Sequence, residues 1–192
     1  MQDIANFLYE VGMLQKTPRT GFQFLGSGKE SVAEHVLRTI FIGYVLARLD
    51  PSVDELKLLR MCLFHDLPEA RTGDMNYVNK KYVTVDEAKA IRELTETLSF
   101  GGDIAAALEE FNARKTPESL LARDADQLAL ILQLKEYGDL GNKYSQEWIR
   151  FALKRLGTDV GRRVAEAILQ TDSSHWWFKD KSDWWINGNH EG

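Results

Sequence analysis

Three stretches share one helix-starting pattern, a hydroxyl residue followed three places later by glutamate: Ser31-Val32-Ala33-Glu34, Ser52-Val53-Asp54-Glu55 and Thr84-Val85-Asp86-Glu87. In a capping box the hydroxyl accepts from an amide of the first turn while the carboxylate reaches back to the cap amide, so each stretch commits the residues after it to a helix. The apolar residues agree. Ile42, Val45, Leu46 and Leu49 recur at helical spacing after the first box, Leu56, Leu59 and Leu63 after the second, and Ala88, Ile91, Leu94 and Leu98 after the third. Ahead of them, Ile4, Phe7, Leu8, Val11 and Leu14 predict a helix over 4–15. Thr17-Pro18-Arg19-Thr20-Gly21-Phe22 then breaks the pattern and opens an irregular stretch to Lys29. Gly101-Gly102 is read as the close of the third-box helix, with a short helix over 103–113 after it. Thr116-Pro117 sets a cap before a proline suited to a first turn, and a long helix continues through Leu120, Leu121, Leu128, Ile131 and Leu134 to Tyr137. Ser145 and Thr158 are read as caps of two final helices.

No stretch alternates apolar and polar residues between hairpin turns, so the expected fold is all-α, one helical bundle over 1–171. At 192 residues the chain is long enough for one sizeable core and short for two. Residues 172–192 form an aromatic tail, with His175-Trp176-Trp177-Phe178 and Trp184-Trp185, expected to pack on the domain or on a partner subunit. His190, in the glycine- and asparagine-rich end, is read as disordered.

One segment conflicts with this regular pattern: Phe64-His65-Asp66-Leu67-Pro68-Glu69-Ala70-Arg71-Thr72-Gly73-Asp74. Pro68 has no amide hydrogen to donate and disfavours helical geometry at Leu67, so the helix should end or kink at the His65-Asp66 pair. Irregular backbone beside two titratable groups is where function tends to override local propensity. His35 starts the helix of the first capping box, and Asp126 lies amid Ala122, Ala129 and Leu130, bordering the core. A carboxylate there is costly unless it is paired or bound to a cation. The competing readings are a satisfied core histidine for His35, a cap or ion pair for His65-Asp66, and pairing of Asp126 with Arg123. Asp124 points about 200° from Asp126 on a helix of 3.6 residues per turn and is read as a solvated surface charge.

Two imidazoles and two carboxylates make a mixed nitrogen and oxygen donor set, suited to Mn²⁺, Co²⁺, Fe²⁺ or Zn²⁺, with Mg²⁺ a further candidate. His35, then His65-Asp66, then Asp126 resembles the H…HD…D signature of the HD-domain phosphohydrolases. Ser31 to His35, His65 to Asp74, Ala125-Asp126-Gln127-Leu128, Lys16 to Gly21 and Glu136 to Leu140 resemble segments of its 5′-deoxynucleotidase branch. The likeness spans roughly 5–155. It implies an HD-domain bundle with one divalent metal per chain held by His35, His65, Asp66 and Asp126 between core helices. It further implies a deoxynucleoside monophosphate substrate, Glu69 orienting or deprotonating the attacking water, Asp74 near the sugar or assisting, and a homodimer. Arg19 is the expected phosphate or sugar contact, since guanidinium binds phosphate oxygens bidentately. Thr20 stands where some relatives carry tryptophan, which removes a stacking ring at that position. Arg38, one turn beyond His35, is a second candidate for substrate contact, with a surface ion pair as the alternative. An HD phosphohydrolase acting on another small phosphorylated nucleotide, or a non-catalytic nucleotide sensor, is the alternative function.

Charge and composition narrow the partners. A formal net charge of −5 gives no global field for long nucleic acids. No run approaches the roughly 18 apolar residues of a membrane span, and Met1-Gln2-Asp3-Ile4 lacks the basic and apolar regions of a signal peptide. Cys62, the only cysteine, allows no internal disulfide and is expected to be a buried, inert thiol in a cytoplasmic protein.

Overall fold

The computed structural model describes residues 1–178 and Gly188; the readings of Trp184, Trp185 and His190 lie outside the described residues. Ten α-helices occur among them: α1 Gln2–Val11, α2 Val32–Leu49, α3 Glu55–Phe64, α4 Glu69–Thr72, α5 Glu87–Thr95, α6 Gly101–Ala113, α7 Pro117–Asp139, α8 Ser145–Leu153, α9 Asp159–Gln170 and α10 His175–Phe178. No β-strand is present among the described residues, only an isolated bridge between Pro18 and Ser31. The all-α expectation holds.

Capping chemistry explains where the helices begin. At Ser31 the full box forms: the side chain accepts from the Glu34 amide, and the Glu34 carboxylate accepts from the Ser31 amide at 2.6 Å. The other two boxes do not form as read. Asp54 and Asp86 take the cap positions, accepting from the amides of Lys57 and Lys89 at 3.0 and 2.9 Å. In both motifs the third residue is aspartate, a stronger acceptor than a hydroxyl, whereas in the first it is Ala33, which cannot cap. Thr116 caps α7 with Pro117 in the first turn, and Thr158 caps α9 as expected. Ser145 is instead the first residue of α8 and caps nothing. Gly101-Gly102 opens α6 rather than closing α5, which ends at Thr95. Only glycine fits at 101, because a Cβ there would lie 2.0 Å from the Thr95 carbonyl oxygen.

The long α7 is the central post, packed against α2, α3, α8 and α9, with α2 and α3 also packed on each other. Leu46, Leu58, Met61, Leu121, Leu128 and Ile131 fill the core between them. Leu14, Val32, Leu67, Leu94 and Leu108 form a second cluster under α1, α5 and α6. Phe22, Leu25, Leu134 and Ile149 form a third, which pins the irregular stretch after α1 against α7 and α8. That stretch is closed at its neck, where the Arg19 amide donates to the Glu30 carbonyl at 2.8 Å and the Val32 amide to the Thr17 carbonyl at 2.9 Å. Arg19 therefore sits on a fixed loop. Cys62 is fully buried beside Gly43, as expected for an inert thiol. No described helix is long and apolar enough to cross a membrane.

Candidate functional site

The break at Pro68 positions the first pair of side chains. Helix α3 ends at Phe64, residues 65–68 turn with the Leu67 amide on the Phe64 carbonyl, and α4 adds a single turn before Gly73 at φ +70°. His65 thus leaves the helix end pointing into the bundle, with its Nδ1 donating to the Cys62 carbonyl at 2.8 Å. That bond directs Nε2 toward the centre, an arrangement common among metal-bound histidines. There it meets Nε2 of His35, from the first turn of α2, at 3.4 Å. Asp126, midway along α7, places Oδ1 3.0 Å from the same His35 atom. Donor atoms of His35, His65 and Asp126 all lie within 4.8 Å of one another. Asp66 stands beside them, its Oδ2 3.2 Å from His65 Nε2 and 3.7 Å from His35 Nε2.

This donor set fits a divalent cation. Two imidazole nitrogens 3.4 Å apart and two converging carboxylates, of which Arg19 pairs with one, concentrate donor atoms and negative potential on one point. The electrostatics of the protein alone show the strain. Burial opposes it, yet Asp66 holds His65 protonated up to about 9. Burial and the Arg19 charge push His35 below its ordinary value, so it is neutral. Asp66 and Asp126 lie far below the usual carboxylate range despite burial, held there by His65, His35 and Arg19. A proton on His65 occupies the place a metal would take.

Around this centre lies a cleft of about 640 Å³, ample for a nucleotide-sized ligand. Glu69 is on its wall, with Oε2 buried and without a hydrogen-bond partner. Burial, with Asp66 and Asp74 nearby, pushes Glu69 up to about 9. Arg19 also lines the cleft and donates to Asp66 Oδ2 at 3.1 Å. Although burial opposes it, Asp66, Asp126, Asp74 and Glu69 hold its pKa above the usual guanidinium value. Asp74 accepts from the Thr20 amide at 2.6 Å and, at 3.2 Å, from the Thr20 hydroxyl, tying the loop of Arg19 across the cleft. Asn76 donates to the same hydroxyl at 3.2 Å. The residue that departs from the tryptophan pattern is thus an anchoring point for Asp74.

Three sequence expectations need correction. Arg38 does not line the cleft; both its terminal nitrogens pair with Glu136, at 3.1 and 3.2 Å, so it takes the surface ion-pair reading. Arg123 does not pair with Asp126 but lies over the Phe111 ring, 4.7 Å from its centroid. Asp124 is not a surface charge: at 1% exposure it accepts from the amides of Gly157 and Thr158 and from the Thr158 hydroxyl at the start of α9. Its helical angle away from Asp126 was correctly read, but the opposite side of α7 is covered by α9. Sequence reasoning also passed over the cleft's aromatic wall of Phe24, Tyr77, Trp148 and Phe151. The one available signal was Trp148 and Phe151 at i, i+3 spacing on α8.

The HD domain family matches residues 11–168. The chain is 33% identical to the 5′-deoxynucleotidase HDDC2 of Dictyostelium discoideum over 71% of this chain and 78% of the relative. It is 30% identical to the protein of the same name from Bos taurus over 74% of this chain and 71% of the relative. Among solved structures, a conserved hypothetical protein from Pyrococcus furiosus superposes with a TM-score of 0.77 at 29% identity, covering 87% of this chain and 99% of the other.

Proposed function

This chain belongs to the HD-domain family, and we propose that it is a metal-dependent phosphohydrolase removing the 5′-phosphate of deoxynucleoside monophosphates. The observation that carries the proposal is the unpartnered, buried Glu69 carboxyl on the wall of a nucleotide-sized cleft that Asp66 and Asp126 also line, with His35 and His65 clustered behind Asp126. The 5′-deoxynucleotidase relatives supply the substrate class.

His35, His65, Asp66 and Asp126 would hold one divalent ion, and the nitrogen and oxygen donor set favours Mn²⁺, Co²⁺, Fe²⁺ or Zn²⁺. Such an ion lowers the pKa of water and withdraws charge from a phosphoryl group. Glu69 then serves as the base. Burial beside Asp66 and Asp74 holds its proton in the protein alone; a dication at the four ligands would offset those charges, and the Glu69 carboxylate would then be the acceptor for a water proton. Arg19 turns from Asp66 toward the phosphate oxygens as they enter the cleft. Asp74 holds the Arg19 loop in place through Thr20 and faces the sugar end. The base lies against the aromatic wall formed by Trp148 and Phe151, where stacking tolerates different bases.

The protein is proposed to act in the cytoplasm as a homodimer. Leu37, Phe41, Tyr44, Val45 and Leu49 support the dimer: they are 46–65% exposed along α2. At spacings of three, four and seven residues they share one side of the helix.

A single panel tests the activity: phosphate release from deoxy- and ribonucleoside 5′-monophosphates, with metals restored after chelation. Release from deoxy substrates that stops on chelation and returns with metal is expected. Undiminished release from demetallated protein would refute the mechanism, and equal rates on ribo- and deoxynucleotides would refute the sugar preference.

A further inference from the structure

We propose that Arg123 is a second phosphate-binding residue, a guanidinium on the lining of the same cleft as Arg19. The inference rests on the proposed phosphohydrolase activity and names a residue of the same site. Arg123 lies one turn before Asp126 on α7, and residues three apart on a helix share a face, so its side chain borders the metal ligands. It lines the cleft and is half-buried.

Its partners set it apart from the other arginines near the site. Arg19 donates to Asp66, Arg38 to Glu136 and Arg155 to the Gln127 side chain at 3.2 Å. Arg155, like Arg123, has no carboxylate partner and lies over a ring, that of Tyr77, but Arg123 alone of the four makes neither an ion pair nor a side-chain hydrogen bond among the described residues; its contact is the Phe111 ring. That ring in turn packs on His65, centroid to centroid 5.4 Å, and His65 on His35 at 5.4 Å. A chain of T-shaped and tilted ring contacts therefore runs from the metal ligands to the guanidinium.

A half-buried cation without a counter-charge is unfavourable unless an anion arrives to pair with it. Burial draws its pKa down, while Asp126, Asp66 and Glu87 hold it up, and the first two are carboxylates that a metal would neutralise. Once those carboxylates are neutralised, Arg123 faces the cleft with five donors and no acceptor. A phosphate dianion is the ligand that completes the set. The guanidinium nitrogens carry no hydrogen bond among the described residues, and they are what binds phosphate bidentately.

The test uses two substitutions of the metal-loaded full chain. Arg123→Met keeps an apolar stem over Phe111 and removes the charge; Arg123→Lys keeps the charge and loses the planar fork. Binding of inorganic phosphate is measured by calorimetry, alongside binding of the dephosphorylated nucleoside and metal content by elemental analysis. We expect Arg123→Met to weaken phosphate binding and lower kcat/KM by about 10–100-fold, the usual loss for charge-assisted hydrogen bonds to phosphate. Arg123→Lys should fall between, and nucleoside binding and metal content should stay at wild-type values. Unchanged phosphate affinity in Arg123→Met would overturn the assignment, as would an equal loss of nucleoside affinity, which marks a merely structural role. If the wild-type protein bound phosphate but hydrolysed no nucleotide, the failure would belong to the proposed activity and leave the phosphate contact standing.

Discussion

Replacing Asp124 should unfold the protein far more readily while leaving its metal site intact. The side chain is 1% exposed and accepts three hydrogen bonds, from the Gly157 amide at 2.7 Å, the Thr158 amide at 2.9 Å and the Thr158 hydroxyl at 2.5 Å. It thereby satisfies backbone donors that a helix start leaves unpaired, and its negative charge faces the positive end of the α9 dipole. Hydrogen bonds to a charged group each contribute roughly 1.5–3 kcal/mol net and do not add fully when they share one acceptor. Asp124→Ala should therefore cost about 3–5 kcal/mol. For a chain of this size that is a fall in Tm on the order of 10–15 °C. Asp124→Asn retains one acceptor oxygen but turns a donor toward the remaining amide, and should cost about 2 kcal/mol. Gly161 sharpens the test, because a Cβ there would lie 2.3 Å from Asp124 Oδ2. Gly161→Ala should destabilise the wild type and cost less in Asp124→Ala, where the contacts with the carboxylate are removed and only the one with Cβ, 3.1 Å away, remains. Thermal and urea unfolding of the five proteins, with metal content measured on each, provides the readout. Losses below about 1 kcal/mol for Asp124→Ala would refute the capping role, since exposed substitutions usually stay within about 0.5 kcal/mol.

Two further outcomes concern the site and the surface. Glu69 is protonated up to about 9 in the metal-free protein, so metal binding at pH 7.5 should expel its proton. Calorimetric titration in buffers of different ionisation enthalpy should therefore show about one proton fewer released by Glu69→Gln than by the wild type. Equal release would remove Glu69 from the electrostatics of the site. The same raised pKa has a defined effect on stability. The metal-free fold binds a proton that the unfolded chain loses above the ordinary value of 4.5, so this contribution to stability is lost as pH rises toward about 9. Glu69→Gln should remove that decline. On the surface, Phe41 is 65% exposed on α2, and Phe41→Glu should convert a dimer to a monomer in light-scattering measurements while the helical circular-dichroism signal is kept. A wild-type monomer, or a dimer that tolerates the charge, would exclude that face.

The helical content and the order of the helices could be read from periodicity, and the metal-ligand candidates from residue type. His65-Asp66 before Pro68 marked the site because proline's missing donor interrupts the helix regardless of what surrounds it. Residue identity was less informative wherever two acceptors compete. The second and third capping boxes shifted to Asp54 and Asp86 because an ionised carboxylate outcompetes a hydroxyl two residues away, a local effect that propensity alone could have anticipated.

Sequence alone established the class of fold, the places where helices break, and the kinds of donor available for a metal. These depend on backbone chemistry and on short-range periodicity, which each segment carries within itself. Only tertiary structure decided which polar groups are buried and what they face. Asp124 and Asp126 share one helix and one side-chain type, yet one meets the amides at the start of α9 and the other meets His35. Arg38 and Arg123 each lie one turn from a candidate metal ligand, yet Glu136 pairs with the first and, among the described residues, no carboxylate pairs with the second. Burial and pairing are set by the elements packed across from a residue, which are distant in the chain, and no local pattern carries that information.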